Sequence, residues 1–398
     1  MRVVLVSNTV MPDKVGGLPR YVRELAAALA RTGCEVIVLA KRVAAGPPAR
    51  ENAADGVTII RHAVPSKSNP LFAALYPLSA ARGVLAPVHR ARGPETIVHC
   101  HFAPTALPLA LTGVRFLYTF HAPVWRELLD ERQGTYRLPS AVQPAVVAAV
   151  RTSERLVVSR SPRLFVLSEF MRGQLAELSQ AAGARAEVLA GGIDTGRFAP
   201  DGETPRSDPQ SPRLFTARRL TPRTGVDQLI CAMPEISRLH PRASLQIAGT
   251  GELEGELRAL ARTLAVADRV SFLGQISDSA LVEGYRRATL VVIPTVKLEG
   301  FGLAAGEALA CGTPVVGTPV GAIPELLRPV DGRLVARDSG PAALAAAVCG
   351  LLDDPEGLSA IAARCRDAVE PALGWDAVAA RYLSAYQDQL DGLAIAGR

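Results

Sequence analysis

Glu299 and Glu307 are the carboxylates whose setting most directly suggests chemistry. They stand in the segment Pro294-Thr-Val-Lys-Leu-Glu-Gly-Phe-Gly-Leu-Ala-Ala-Gly-Glu-Ala-Leu-Ala-Cys-Gly-Thr-Pro-Val-Val316, directly after the apolar run 290–293. An ionised carboxylate accepts two hydrogen bonds side by side, the pattern that vicinal hydroxyls of a ribose or hexose offer. Gly300 and Gly302 let the backbone turn tightly and approach a ligand. A short helix is predicted from Leu303 to Gly312, its N-terminus offering free N–H groups and partial positive charge to an anion. Glu299 precedes this helix and Glu307 lies in its second turn, so the two address different parts of one extended ligand. A molecule with both phosphates and sugar hydroxyls fits.

The elements that must position these residues are read from an alternation of apolar runs and helical periods. Val3-Val4-Leu5-Val6 is a buried strand, Gly16-Gly17 a turn, and Tyr21, Leu25, Ala28 and Leu29 fall at helical spacing before Val36-Ile37-Val38-Leu39. Strand, helix, strand with short links implies a parallel sheet. Further strands are predicted at 57–61, 96–101, 115–120, 163–167 and 186–190. Residues 198–212 have the Pro, Asp and Ser content of a linker. The alternation then restarts, with strands at 213–217, 243–248, 269–273, 289–293, 314–317 and 332–335, and helices at 225–239, 252–265, 278–287, 303–311 and 340–352. The expected fold is α/β: two Rossmann-like domains, 1–197 and 213–374, facing across a cleft. A terminal helix and tail follow over 375–398, and crossing back to the first domain is one option for it. Ligands of such sheets bind at the strand carboxyl ends.

Composition narrows the classes. At roughly 100–200 residues per domain, 398 residues suit two or three domains with their own cores. No apolar run reaches the roughly 18–20 residues of a membrane span, and the start reads as a strand rather than a signal peptide, so a cytoplasmic protein is expected. Six scattered cysteines without C-x-x-C spacing read as reduced thiols. His99 and His101 flank Cys100 and share one strand face; with no third ligand nearby they read as ordinary partly buried histidines, and no metal is expected. His62 and His89 read as surface residues. Residues 1–200 hold 24 Lys and Arg against 14 Asp and Glu, the remainder 20 against 24. This basic half suits an anionic acceptor or membrane surface, or simply solvated helices. Arg151, Arg155, Arg160, Arg163 and Arg172 read as one helix face and its exit, without the interleaved aromatics of a nucleic-acid groove.

The segment around Glu299 and Glu307 resembles the E-x7-E motif of the retaining glycosyltransferases of family 4, which have the GT-B fold. The likeness includes Glu-Gly-Phe-Gly-Leu at 299–303, the continuation through Pro314, and Gly321-Ala-Ile-Pro-Glu325. It extends over nearly the whole chain: the opening strand, Gly-Gly loop and helix; Phe120-His121; Val188-Leu-Ala-Gly-Gly-Ile-Asp194; Arg219-Leu-Thr-Pro-Arg-Thr-Gly225; Phe272-Leu-Gly274; and Trp375. The resemblance implies that Glu299 bonds the transferred sugar, Glu307 the donor ribose, and the backbone at Phe301, Gly302 and Leu303 the diphosphate or sugar hydroxyls. Arg219 would neutralise the diphosphate, Gly16 and Gly17 would let their loop close over it, and backbone near Gln275 would read the base. Thr224 and Gly249 complete the donor-side set. His121 would sit at the reacting carbon or the outer hydroxyls. It further implies retention by front-face attack, with the leaving phosphate taking the acceptor proton, and no protein nucleophile, metal or cofactor. The donor is expected to be a UDP-sugar and the acceptor a small molecule. Trp125, Asp130 and Glu131, just after His121, suit an amino-bearing acceptor such as an aminocyclitol or another natural product.

Two positions depart from the family. Thr224 stands where lysine is usual, and Ala217-Arg218 where Val-Gly is favoured. Arg218 or Arg223 is a candidate to compensate for the missing charge. Glu325 is read either as a site residue or as a helix cap. Rival readings are a lipid or cell-envelope glycosyltransferase, for which 66–93 mixes apolar and basic residues; an atypical relative that binds a nucleotide sugar without ordinary transfer; and an NAD-dependent dehydrogenase. For the last, Gly249-Thr-Gly251-Glu-Leu-Glu-Gly255 resembles a dinucleotide fingerprint, but the next strand ends in Gly274-Gln275 rather than an acidic residue.

Overall fold

A computed structural model describes residues 1–14, 16–42, 47–65, 72–126, 143–202 and 210–396. The chain forms two compact units, Met1–Gly192 with Trp375–Arg398, and Ile193–Gly374.

In the first unit, runs of β-branched and leucine residues form inner strands that are buried as a sheet covered by helices requires, while the edge strands at 50–52 and 187–188 are largely exposed. They are β1 (Arg2–Val6), β2 (Glu35–Lys41), β3 (Arg50–Asn52), β4 (Thr58–His62), β5 (Thr96–Cys100), β6 (Leu117–Phe120), β7 (Leu164–Val166) and β8 (Glu187–Val188), in the order β3-β4-β2-β1-β5-β6-β7-β8. All pairings are parallel except β3 with β4. The winding direction reverses between β1 and β5. Val4, Val6, Val98, Phe116, Tyr118, Phe120, Val157 and Leu164 belong to one core.

The helix Trp375–Ala396 packs on the helix Gly17–Arg31 of this unit. Trp375, Val378, Tyr382 and Tyr386 are buried, and the tyrosine hydroxyls find partners as buried polar groups must. Tyr382 Oη lies 2.7 Å from Tyr21 Oη and 3.2 Å from Thr119 Oγ1. Tyr386 Oη lies 2.7 Å from His99 Nδ1, and His99 Nε2 lies 2.8 Å from Thr119 Oγ1. The Trp375 indole N–H donates to Glu24.

The second unit has β9 (Arg213–Ala217), β10 (Ser244–Ala248), β11 (Val270–Gly274), β12 (Leu290–Ile293) and β13 (Val315–Gly317), all parallel, in the order β11-β10-β9-β12-β13. Its winding reverses between β9 and β12.

Several elements differ from the sequence reading. Residues 332–335 are not a strand: Gly332–Leu334 is a 3-10 turn whose Arg333 N–H donates to the Asp331 carboxylate, and only Val335 bridges to Gly317. Residues 193–198 belong to the second unit rather than the first: the Ile193 N–H donates to Leu373 O at 2.7 Å, Phe198 is buried beside Tyr285, and Arg366 donates to the Thr195 and Phe198 carbonyls. Much of 66–93 is helix, Phe72–Ala91. Arg151, Arg155 and Arg160 share the helix Gln143–Arg160, but Arg163 precedes β7 and Arg172 lies on the helix Glu169–Leu178. His62 is not a surface residue; it packs against Gly83, and burial, with Lys41 nearby, pushes its pKa down to about 4. Among the described residues no helix is long and apolar enough to cross a membrane.

Both tryptophans, Trp125 and Trp375, lie in the first unit, so tryptophan fluorescence reports its unfolding alone. Tyr382→Phe leaves the Tyr21 and Thr119 hydroxyls short of a partner. It is expected to lower the first unit's stability by about 1–2 kcal/mol, read as a reduced urea midpoint by fluorescence.

Candidate active site

At the winding reversal of the second sheet, the chain leaves β9 through Arg218 and leaves β12 through Pro294 to Glu299. Neighbouring strands whose connections depart to opposite sides open a crevice at their carboxyl ends. Across it, Arg218 Nη2 donates to Glu299 Oε2 at 2.7 Å and to Thr295 Oγ1 at 2.9 Å. The other carboxylate oxygen, Glu299 Oε1, accepts the Gly302 N–H at 3.3 Å. The side chains of Arg218 and Glu299 are 10% and 15% exposed. Burial alone would raise the Glu299 pKa; the charge and hydrogen bond of Arg218, the charge of Arg223 and the Gly302 N–H outweigh it and hold the carboxyl below its ordinary value. Glu299 is therefore an ionised, oriented acceptor beside the first turn of the helix Leu303–Ala310, which opens on Gly302.

Backbone packing fixes both partners. A Cβ on Gly249 would lie 1.9 Å from the Arg218 carbonyl oxygen, and one on Gly321 would lie 2.2 Å from that of Glu299. Both glycines have positive φ, +127° and +65°. Gly249 is thus needed where the chain meets its own backbone, and Gly251 likewise sits against Leu220 O. Two glycines of the dinucleotide-like run are explained by loop packing.

The remaining donor-side positions are spread along the same edge. Arg219 is exposed and Arg223 Nη1 donates to Leu298 O at 3.0 Å. Thr224 is buried, and its hydroxyl turns back to the Arg219 and Thr221 carbonyls at 2.7 and 2.8 Å. Phe301 and Leu303 are half-buried around Gly302, and Gln275 is exposed just after β11. Glu307, 4% exposed, accepts from the Tyr285 hydroxyl at 3.1 Å. Glu325 lies in the first turn of the helix Ile323–Leu327. Thr295 was not singled out by the sequence, and Arg218 entered only as one of two candidates to replace the charge missing at 224.

In the first unit, His121 follows β6 and His101 follows β5, with His101 Nδ1 3.1 Å from His121 Nε2. His101 is buried, and its Nε2 has no hydrogen-bond partner among the described residues. With both rings neutral, one of these two nitrogens carries the proton and donates it to the other. The Tyr21 ring meets His121 edge-on at 4.8 Å. His99 and His101 share one face, as alternation requires, but both are wholly buried rather than partly so. Gly17 opens the first helix with free space where a Cβ would stand, and Gly16 caps it. The guanidinium groups of Arg126 and Arg151 lie over the Trp125 ring, 4.9 and 5.3 Å from its centroid. Asp130 and Glu131 lie outside the described residues. Among the described residues no group of three or more His, Cys, Asp or Glu is placed to hold a metal ion.

Burial pushes the pKa of both His99 and His121 down to about 3, and that of His101 down strongly as well. The folded chain keeps these rings neutral where the unfolded chain, with the ordinary value of 6.5, takes up protons. The unfolded state therefore binds more protons below pH 6.5, and stability falls with pH from there towards 3. The first unit is expected to lose about 2 kcal/mol per histidine between pH 6.5 and 4.5. A fluorescence-detected urea midpoint that is flat over this range would contradict it.

Comparison with known proteins agrees with this architecture. A family model described as glycosyltransferase family 4 matches residues 15–197, and one described as glycosyl transferases group 1 matches residues 202–368. The chain is 32% identical over 376 residues to a D-inositol 3-phosphate glycosyltransferase of Frankia alni, covering 87% of this chain and 88% of the relative. It is 29% identical over 370 residues to a glycogen synthase of Mycobacterium tuberculosis, covering 89% and 87%. Among solved structures, the sucrose-phosphate synthase of Thermosynechococcus elongatus superposes with a TM-score of 0.81 at 22% identity, covering 98% of this chain and 99% of that one. The two Rossmann-like units are those of a GT-B glycosyltransferase, and the chain belongs to glycosyltransferase family 4.

Proposed function

We propose that this glycosyltransferase moves a hexose-type sugar, with retention, from a UDP-sugar to a hydroxyl of a small polyhydroxylated acceptor. The observation that carries the reading is the oriented, ionised Glu299 beside the helix N-terminus at Gly302. Two kinds of ligand group, hydroxyls and a diphosphate, find complementary partners there within one turn of chain.

Glu299 holds sugar hydroxyls with the lone pairs left by Arg218 and Gly302. The helix N-terminus and the arginines of the loop after β9 meet the charge that develops on the leaving diphosphate. The bond from the anomeric carbon to the diphosphate oxygen breaks as the acceptor oxygen bonds the same face of that carbon. The acceptor proton passes to the departing diphosphate oxygen. Positioning and charge stabilisation carry such a step, and no protein nucleophile, metal or cofactor takes part. His121 acts as a neutral hydrogen-bonding group rather than a charged one. A reducing cytoplasmic setting suits the six free thiols.

The acceptor is proposed as a cyclitol or a related natural-product polyol. The inositol phosphate in the name of the Frankia relative supports this ring class.

Calorimetry with UDP, GDP, ADP and TDP, then mass spectrometry of products from the matching donors and candidate polyols, tests the reading. UDP binding with no transfer to any acceptor would make the chain a nucleotide-sugar binder instead. Glu299→Ala is expected to reduce transfer by about 10³-fold or more while UDP still binds, because its partner is the sugar. Transfer is also expected to survive EDTA; a full loss restored by one divalent ion would reverse the metal-free assignment.

A further inference from the structure

The loop after β9 carries two unusual residues, and the structure connects them. Thr224 stands where the family usually has lysine. Its hydroxyl is turned into the loop onto the carbonyls of Arg219 and Thr221, and it presents no charge to a ligand. Arg218 stands where glycine is favoured, and it brings a guanidinium to the carboxyl edge of the sheet beside Glu299. That guanidinium is incompletely satisfied: Nη2 serves Glu299 and Thr295, while Nε is buried and has no hydrogen-bond partner among the described residues. The backbone of residue 218 cannot back away, since its N–H is bonded to Ala248 O at 2.9 Å and its carbonyl is pressed against Gly249. A buried charged N–H without a partner is costly in a folded protein and marks a place for a ligand oxygen.

We propose that Arg218 is the donor-site cation that Thr224 fails to be, and that through the same guanidinium it is the positioning residue for Glu299. The two departures are then one charge moved from position 224 to position 218. The ligand oxygen that completes Arg218 belongs to the diphosphate of a nucleotide sugar, so the inference rests on the donor reading above. It adds a consequence of its own: the affinity for a nucleoside diphosphate depends on the cation at 218, and a cation restored at 224 replaces it.

The test uses the full chain and UDP as the probe, with Kd from calorimetry and folding checked by thermal melting. Arg218→Gln, which keeps a polar side chain but removes the charge, is expected to weaken UDP binding by about tenfold or more. Arg218→Lys is expected to stay within about threefold of the wild type for UDP while kcat falls, because lysine keeps the charge but not the planar fork on Glu299 and Thr295. Adding Thr224→Lys to Arg218→Gln, or to Arg218→Gly should the glutamine variant fail to fold, is expected to recover most of the lost UDP affinity. A purely structural role for Arg218 would not be rescued by a charge at 224. UDP binding unchanged in Arg218→Gln, or folded double variants without recovery, would overturn the inference and leave the donor reading standing. If the wild type binds none of UDP, GDP, ADP and TDP, both fall together.

Discussion

The loops at the carboxyl edge of the second sheet pack main chain against main chain, closer than any side chain permits. Gly249 lies under the carbonyl of Arg218, and Gly321 under that of Glu299. Each end of the buried ion pair is therefore held from behind by a different loop, and the guanidinium and carboxylate meet in the crevice between β9 and β12. A hydrogen-bonded charge pair needs this kind of fixed geometry to offset the cost of taking two charges out of water. The pre-set carboxylate then has no rotamer freedom to lose when a sugar arrives.

The first unit buries an ion pair of its own, Arg61 with Asp13, but uses a different chemistry at the edge that carries its histidines. Its interior polar groups at the β5–β6 edge are hydroxyls and neutral rings: Tyr21, Tyr382, Tyr386, Thr119, His99 and His101. Deep burial excludes charge there and fixes tautomers through the hydrogen-bond chain. The result is a rigid support behind His121 with no net charge of its own.

Much of this was legible in the sequence because parallel strands covered on both faces leave continuous apolar runs, as at Val3–Val6 and 290–293. The segment 299–316 could be read because glycine, carboxylate and helix start each have a separate physical signature. Other features escaped for equally physical reasons. The strand Arg50–Asn52 is a three-residue polar edge that takes its identity from pairing with β4. The helix Ala103–Thr112 is apolar on all sides and contains Pro108, so it shows no helical period. Leu334 and Val335 look like strand residues, yet Asp331 caps a turn there. The sequence assigned Arg219 to the diphosphate and left Arg218 and Arg223 open as substitutes for the missing lysine; only the fold brings Arg218 to a carboxylate 81 residues away. His99 and His101 sat on the expected face, but the terminal helix that buries them comes from far along the chain.

That terminal helix makes the first unit discontinuous. The second unit is a single stretch, Ile193–Gly374, placed within the first. During synthesis from the N-terminus, the later-encoded unit has all its residues before the earlier one does. Until Trp375–Ala396 leaves the ribosome, the hydroxyl of Tyr21, the ring of His99 and the Thr119 side chain lack the tyrosines that complete their bonding, and an apolar strip of the helix Gly17–Arg31 is uncovered. The order of completion is thus inverted relative to the order of translation, and the half that begins emerging first is the last to gain its full set of residues.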